Sequence, residues 1–418
     1  MIHPLLETLF RRFDDAGVAW CLLRIPTNPV APAGDVDLLL DPDGAGRARA
    51  ALDELGFVRL PARGYGSDSF YLGYHAATDH WIWLHIAVQL SFGRYQAVRL
   101  DAEEFLARRT RGAVGTGLVA ALSPDDAFWA LLLHCLLDKG SVPERHRGRL
   151  RELAGSAESR STLARLTEAG CPSGWDAARI VAAARSGDWS ALDRLARPLQ
   201  RRMRRRRVWE AVVRVERFLT RVADLRRRGL LVALMGPDGA GKSTLSAGIQ
   251  ESFFFPSRPV YMGVGTGNLA RLARRLSVLG RPPFSYIAYN LTLWARYLTG
   301  QYHRWRGRLV IFDRYTYDAL LPMPQRISSL KARALAVQAR ACPAPDLLLV
   351  LDVPGEVMYR RKGEFTPEHL ERQRQALLAL RRSFRNVEIL DGTQPQEAVR
   401  ADAVERIWRR YRSRFASS

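Results

Sequence analysis

The sequence predicts an α/β protein whose C-terminal half is a parallel sheet covered by helices on both faces. A second α/β region and a helical region precede it. Three observations carry this reading. From residue 230 onward, short apolar runs alternate with helical patterns, as buried parallel strands and their crossovers require. One such run, Leu230–Met235, stops at a glycine-rich loop and gives way to a helix at Lys242, within LLVALMGPDGAGKST. Residues 1–122 carry strand patterns of their own, and 123–228 read as Ala/Leu/Arg helices leading to the last region, 229–418.

Taken in order, Pro4–Ala16 reads as an amphipathic helix and Val18–Arg24 as a strand. After a Pro/Gly-rich turn comes Asp35-Val36-Asp37-Leu38-Leu39-Leu40. Residues two apart share a strand face, so Asp35 and Asp37 present paired carboxylates at one strand end, suited to Mg²⁺. Gly44–Leu55 is the next helix, and Trp81–Gln89 a strand running into Leu90–Gly93. This order, with its D-x-D strand, resembles the nucleotidyltransferase fold. Two features depart from it: no Gly-Ser pair precedes the acidic strand, and WIWLHIAV offers His85 where a third carboxylate is expected. The resemblance leaves two readings open, beside a third in which the region is an unrelated α/β module. The region transfers a nucleotidyl group, with Asp35 and Asp37 as a second Mg²⁺ site, or it is a degenerate domain kept for binding or architecture. His80 and His85 are expected to satisfy local hydrogen bonds.

Ser123-Pro124-Asp125-Asp126 is a helix start, with an N-cap hydroxyl, proline at the first position and acids in the first turn. The following AFWALLLHCLLDKG is apolar nearly all round, which predicts a central helix of a bundle with His134 in the core or at an interface. Shorter helices continue to about Leu199. Between Arg194 and Arg228 fourteen arginines face only Glu210, Glu216 and Asp224. Val208, Val212, Val215, Leu219 and Val222 recur at helical spacing, so a long amphipathic helix with a basic outer face is expected. It serves as a connector or as a surface for nucleic acid or membrane.

Between the strand at Leu230–Met235 and the helix at Lys242–Phe255, Gly236, Gly241, Lys242 and Ser243 fill every fixed position of G-x-x-x-x-G-K-[ST]. Glycines let backbone N–H groups turn toward phosphate oxygens, and the helix N-terminus adds partial positive charge. The loop residues Gly236, Asp238, Gly239, Ala240, Gly241, Lys242, Ser243 and Thr244 are therefore expected to hold a nucleoside triphosphate. Lys242 reaches its β- and γ-phosphates and Ser243 its Mg²⁺. Further strands are expected at Pro259–Val264, Leu309–Asp313, Asp346–Val353 and Asn386–Leu390. The helices between them fall at about Asn268–Leu279 and Phe284–Trp305, and a final one ends near Phe415.

GPDGAGKSTL, VIFDRYTYD and DVPGEVMYRRKGEFTPEHLERQR, in that order, resemble thymidylate kinase and its P-loop nucleotide-kinase relatives, from about Leu230 to the C-terminus. The resemblance implies that Asp313 and Arg314 support Mg²⁺ and the phosphoryl groups. It also implies that Arg360 and Arg361, with Lys362 beside them, belong to a lid over the donor phosphates, and that Asp238 faces an acceptor hydroxyl. Glu364, Glu371 and Arg374 are expected to be lid-hinge or salt-bridge residues. The likeness fails at the acceptor end. Met262-Gly263-Val264-Gly265-Thr266-Gly267 replaces the family's Arg-Glu-Pro segment, and Arg296, Tyr297 and Arg304 are only candidates for acceptor contacts.

The chain of 418 residues carries a formal charge of +22, almost all of it from arginine; Lys139, Lys242, Lys331 and Lys362 are its lysines. Codon bias and an anionic partner both account for that. Cys21, Cys135, Cys171 and Cys342 form no C-x-x-C pair, so neither a zinc site nor a disulfide framework is indicated. No secretory signal opens the chain, and Ala127–Leu137 is too short to span a bilayer. A reduced, cytoplasmic protein is expected. The leading expectation is an ATP- and Mg²⁺-dependent phosphotransferase acting on a nucleotide, nucleoside or phosphorylated sugar, with a homodimer allowed. The competing ones are a bifunctional kinase and nucleotidyltransferase, a non-catalytic ATP-gated binding protein and, more remotely, a nucleic-acid end kinase.

Overall fold

A computed structural model of the chain describes residues 2–60, 68–94, 96–114, 117–158, 161–203, 215, 229–263, 282–323 and 327–414. The chain divides into two compact units, Met1–His75 with His80–Arg221, and Ala76–Asp79 with Val222–Ser418.

In the first unit α1 (Pro4–Asp15) starts with proline and buries Leu5, Leu6, Leu9, Phe10 and Phe13, one face of a helix. Phe10 stacks on Trp20 at 4.3 Å, and Trp20 Nε1 donates to Asp14 at 2.8 Å. The strands that follow are β1 (Trp20–Leu22), β2 (Asp35–Leu40), β3 (Val58–Leu60), β4 (Ser69–His75) and β5 (His80–Ala87). After them come β6 (Gln89–Phe92), β7 (Val98–Asp101), β8 (Thr110–Val114) and β9 (Gly117–Ala121). Helix α2 (Ala45–Glu54) follows β2, and α3 (Ala102–Ala107) follows β7. Seven strands form one sheet in the order β3-β4-β5-β2-β1-β9-β8. Within it β2 runs parallel to β5, with Asp37 opposite His85.

The expected strand Val18–Arg24 shortens to Trp20–Leu22. The expected run from Trp81 into Leu90–Gly93 divides, because Gln89–Phe92 leaves the large sheet to pair with β7. Strands β3, β4, β7, β8 and β9 have no counterpart among the expected strands; β3 and β4 flank residues whose apolar pattern is interrupted.

Ser123 caps α4 (Pro124–Leu133) as its sequence predicts, its Oγ accepting from Asp126 N at 3.2 Å. The helix continues as one π-helical stretch, His134–Lys139, which ends at Gly140 with φ +81°. Four further helices are described in the unit: α5 (Glu144–Ala154), α6 (Thr162–Gly170), α7 (Ala177–Ser186) and α8 (Trp189–Arg202). A single apolar cluster joins Leu39, Ala87 and Phe92 of the strands to Phe128, Leu132 and Leu136 and on to α8, so sheet and helices bury one another. Of the arginine-rich stretch expected as a long helix, α8 covers the beginning; 204–214 and 216–228 lie outside the described residues.

The second unit is built on β10 (Leu230–Met235), β11 (Ser257–Tyr261), β12 (Leu309–Asp313), β13 (Leu347–Asp352) and β14 (Val387–Asp391). They form a parallel sheet in the order β11-β12-β10-β13-β14. Every residue of β10 is buried, as a central parallel strand covered on both faces demands. The helices are α9 (Lys242–Ser252), α10 (Pro282–Trp305), α11 (Ser329–Ala339), α12 (Gly355–Lys362), α13 (Pro367–Ser383) and α14 (Gln396–Ser413). The helix expected at Asn268–Leu279 falls outside the described residues. This unit is a mixed α/β fold with a five-stranded parallel sheet flanked by helices. The four cysteines are free and buried. Among the described residues no helix is long and apolar enough to cross a membrane.

At the N-terminal ends of these strands Asp346 ties the chain together. Its Oδ2 accepts from Leu231 N at 2.8 Å, and its Oδ1 pairs with Arg304 at 3.4 Å and with Arg414 of the C-terminal segment. Removing this carboxylate leaves a strand N–H and two guanidinium groups without it. Asp346→Ala is expected to lower unfolding stability by about 2–4 kcal/mol, read from urea midpoints of the full chain. A loss below about 0.5 kcal/mol, the level of an ordinary surface substitution, would show that Asp346 is not a tie.

Candidate active site

The parallel sheet decides where the site can form, because loops leaving strand C-termini converge there. From buried β10 the chain enters Gly236, whose missing Cβ would stand 3.0 Å from Ala240 Cβ. Gly239 (φ +87°) is more demanding: a Cβ there would lie 2.5 Å from the Met358 carbonyl oxygen of α12. Gly241, at φ +94°, is the N-cap of α9, a conformation that glycine adopts without strain. The loop is thus folded tightly and backed by α12.

Lys242 is 7% exposed and turns back on its own loop, donating from Nζ to the carbonyls of Gly236 (2.8 Å) and Pro237 (2.9 Å). Asp238 collects cations on one oxygen, Oδ1: Arg314 at 2.5 Å, Lys362 at 3.8 Å and Lys242 at 4.0 Å. Arg314 follows β12 at φ +69° and also pairs with Asp318 at 3.2 Å. Burial pushes the Lys242 ammonium below its ordinary pKa, and the neighbouring Arg314 charge adds to this; the nearby carboxylates oppose it. Burial raises the Asp318 carboxyl even though Arg314 pulls the other way. For Arg314, burial works against its charge, but Asp318 and Asp238 outweigh it and raise its pKa. A buried ammonium held by two carbonyls gains when an anion arrives.

Asp313 ends β12, next to the end of β10, and its buried Oδ1 has no hydrogen-bond partner. Ser243 and Thr244 are exposed on the first turn of α9. An unsatisfied carboxylate oxygen and a free hydroxyl are hard oxygen donors of the kind Mg²⁺ takes, so Asp313 and Ser243 fit that ion.

Of the residues expected to form a lid, Lys362 reaches Asp238 and also pairs with Glu364 at 3.2 Å. Arg360 and Arg361 stand exposed on the same final turn of α12, with no hydrogen bond or ion pair to another described residue. Glu371 accepts from Gly355 N at 3.1 Å and pairs with Arg374 at 2.7 Å, and Arg374 also binds Asp352, so α13 braces the start of α12. The acceptor candidates separate. Arg296 donates to the Gly263 carbonyl and lies 5.6 Å over the Tyr261 ring, near the loop after β11. Tyr297 is buried against Phe312, and Arg304 sits on Asp346 at the opposite end of the strands. Residues 264–267 of the glycine-rich loop lie outside the described residues. The Lys362–Asp238 contact is the feature that spacing alone did not single out.

The first unit assembles a separate cluster. Asp37 is 5% exposed, and both its oxygens are engaged: Oδ1 with His85 Nδ1 at 2.8 Å, Oδ2 with Arg24 Nε at 2.9 Å. His85 Nε2 lies 3.5 Å from Asp68, a carboxylate from just before β4 that the sequence reading missed, and Phe70 stacks on the imidazole at 4.8 Å. Ligand atoms of Asp35, Asp37 and His85 fall within 4.8 Å of one another. His85 and Arg24 occupy the two Asp37 oxygens, so the arrangement is fuller than the bare carboxylate pair that the sequence predicts. Burial lowers the His85 pKa, but the hydrogen bond to Asp37 and the neighbouring Asp68 carboxylate outweigh it and raise it to about 9. Burial raises the Asp37 carboxyl, but the His85 and Arg24 contacts outweigh it and hold it below the usual value.

No protein-family model matches the chain, and no curated protein matches it. Among solved structures it is similar to a thymidylate kinase from Candida albicans, at 18% identity over 43% of this chain and 90% of that one. The TM-score is 0.35, too low to carry an argument.

The paired titration has a definite sign. Because the His85 pKa is raised, its stabilisation is complete below the unfolded value near 6.5 and is lost as pH climbs through about 9. The Asp37 share, with a lowered pKa, is lost only in acid. Wild-type urea midpoints should therefore fall between pH 6.5 and 9 more steeply than those of His85→Asn. Parallel pH curves for the two proteins would contradict the charged pair.

Proposed function

We propose that residues 229–418 form an ATP- and Mg²⁺-dependent phosphotransferase of the nucleotide-kinase type, transferring to a nucleotide, nucleoside or phosphorylated sugar. The observation that carries this is the convergence of Lys242, Arg314 and Lys362 on Asp238 within the loop Gly236–Thr244. Three cations around one carboxylate are a reservoir of positive charge beside a backbone shaped for phosphate.

In this reading Lys242 leaves the Gly236 and Pro237 carbonyls for the β- and γ-phosphate oxygens, and the loop amides of Gly239, Ala240 and Gly241 hold the same oxygens. Ser243 and Asp313 hold Mg²⁺, which when bound offsets phosphate charge and aligns the triphosphate. Arg314 turns from Asp238 toward the moving phosphoryl group, and Arg360 and Arg361 supply further charge from α12. Asp238, relieved of its cations, is left to face the acceptor. A new bond forms between acceptor oxygen and γ-phosphorus, the bond to the leaving diphosphate breaks, and the acceptor proton passes to solvent. Positioning and electrostatics carry nearly all of the rate. The unpartnered arginines of α12 favour transfer over simple nucleotide gating, because binding alone does not need them.

Lys242→Ala should abolish label transfer from γ-labelled ATP across a panel of nucleotide, nucleoside and sugar-phosphate acceptors, with an unchanged circular dichroism spectrum. Arg360→Ala/Arg361→Ala should lower kcat by about a thousandfold, the scale of a lost transition-state arginine, with a smaller change in the KM for ATP. Undiminished transfer in Lys242→Ala would remove the assignment.

A further inference from the structure

The first unit carries a half-open cavity of about 880 Å³, a size in the range of small-molecule sites. Its apolar lining includes Phe70, Phe92, Leu131 and Leu137, and the D-x-D strand and α8 contribute its charged residues. Three of its four carboxylates are already spoken for. Asp37 holds Arg24 and His85; Asp68 accepts from Gln96 at 3.0 Å beside His85; Asp138 accepts from Gly93 N at 2.7 Å and binds His134 at 2.9 Å. Only Asp35 lacks a partner among the described residues.

On the cation side Arg197 and Arg201 line the same cavity, one turn apart on α8. Neither makes a hydrogen bond or ion pair with another described residue. Like charges at this spacing on one helix repel, and no described carboxylate relieves them. The helix that carries them is fixed: Gln200, between them, donates to the Leu136 and Leu137 carbonyls at 2.9 and 3.2 Å. Two guanidinium groups on a rigid helix beside an apolar pocket match a dianionic head on an apolar body.

We propose that this cavity binds an organic phosphate monoester, its phosphate held by Arg197 and Arg201 and its aromatic or apolar body in the pocket, without a divalent cation. Metal is dispensable because Arg24 and His85 already neutralise Asp37. Asp35 then faces the ligand as an unfavourable charge, which separates this reading from a metal site, where Asp35 would be needed.

The test uses the full chain carrying Lys242→Ala, so that the phosphate loop of the other unit does not contribute, titrated in EDTA with 4-methylumbelliferyl phosphate and followed by fluorescence anisotropy. Saturable binding, displaced by inorganic phosphate, is expected. Arg197→Ala/Arg201→Ala should weaken it by about tenfold or more, the loss of charge-assisted hydrogen bonds, with Arg197→Lys/Arg201→Lys in between. Both arginines are exposed, and an unchanged melting curve checks each fold. Asp35→Asn should bind as tightly or more tightly, and added Mg²⁺ should not help. The proposal is overturned by no saturable binding, by equal binding of neutral 4-methylumbelliferone, or by an unchanged double-alanine variant. Binding that requires Mg²⁺, or is lost in Asp35→Asn, would overturn it in favour of a metal site.

Discussion

The interaction on which the second unit's site depends is the attraction of three cations to Asp238. Without it, Lys242, Arg314 and Lys362 would crowd one small loop and repel each other at separations where charge is weakly screened. With it, the loop is closed on itself and the three cations are held together. The backbone supports the same end: Gly239 is pressed so closely against α12 that the helix bearing Arg360, Arg361 and Lys362 rests on the loop itself. Position of the helix and charge of the loop are therefore one arrangement, set by a glycine that has room for no side chain.

Much of this was legible in the sequence because the signals are local. Leu230–Met235 is apolar without alternation, and the glycines, lysine and serine that follow all fall within residues 236–243, so strand, loop and helix start appear where expected. Ser123-Pro124 likewise announces a helix by chemistry confined to one turn. What could not be read is what depends on residues far apart in the chain. Lys362 meets Asp238 across more than a hundred residues, and no spacing rule connects them. Asp68 reaches His85 from a segment with no strand signal of its own. Strand β8 lies at the sheet edge and β9 joins it to β1, and their pairing partners, not their composition, make them strands. The arginines of α8 were visible as charge, but their place at a cavity comes only from how α8 packs against the π-helical stretch.

The two carboxylate clusters show why identical groups carry different meanings. Asp238 is partly exposed, and one of its oxygens is shared among three cations, tightly with Arg314 at 2.5 Å but only loosely with Lys362 and Lys242 at 3.8 and 4.0 Å, contacts that can be exchanged. Asp37 is almost wholly buried, and each oxygen is held by its own donor in a strand-fixed geometry, His85 being its register partner on β5. Exchanging a partner there would strand a buried charge, a cost of about 3–5 kcal/mol for broken buried pairs. The same residue type thus serves as a displaceable counter-ion in one unit and as a structural one in the other.

That difference bears on the D-x-D pattern itself. Its appeal as a metal site rests on carboxylates two residues apart sharing a strand face, and the geometry of β2 delivers that much. Burial then decides the chemistry, because a carboxylate enclosed at a sheet centre must be neutralised during folding, before any ion is bound. Here the chain supplies the neutralising charge itself, from Arg24 beside β1 and His85 on β5. A motif that specifies where two oxygens lie does not specify what fills the space between them; the neighbouring strands do.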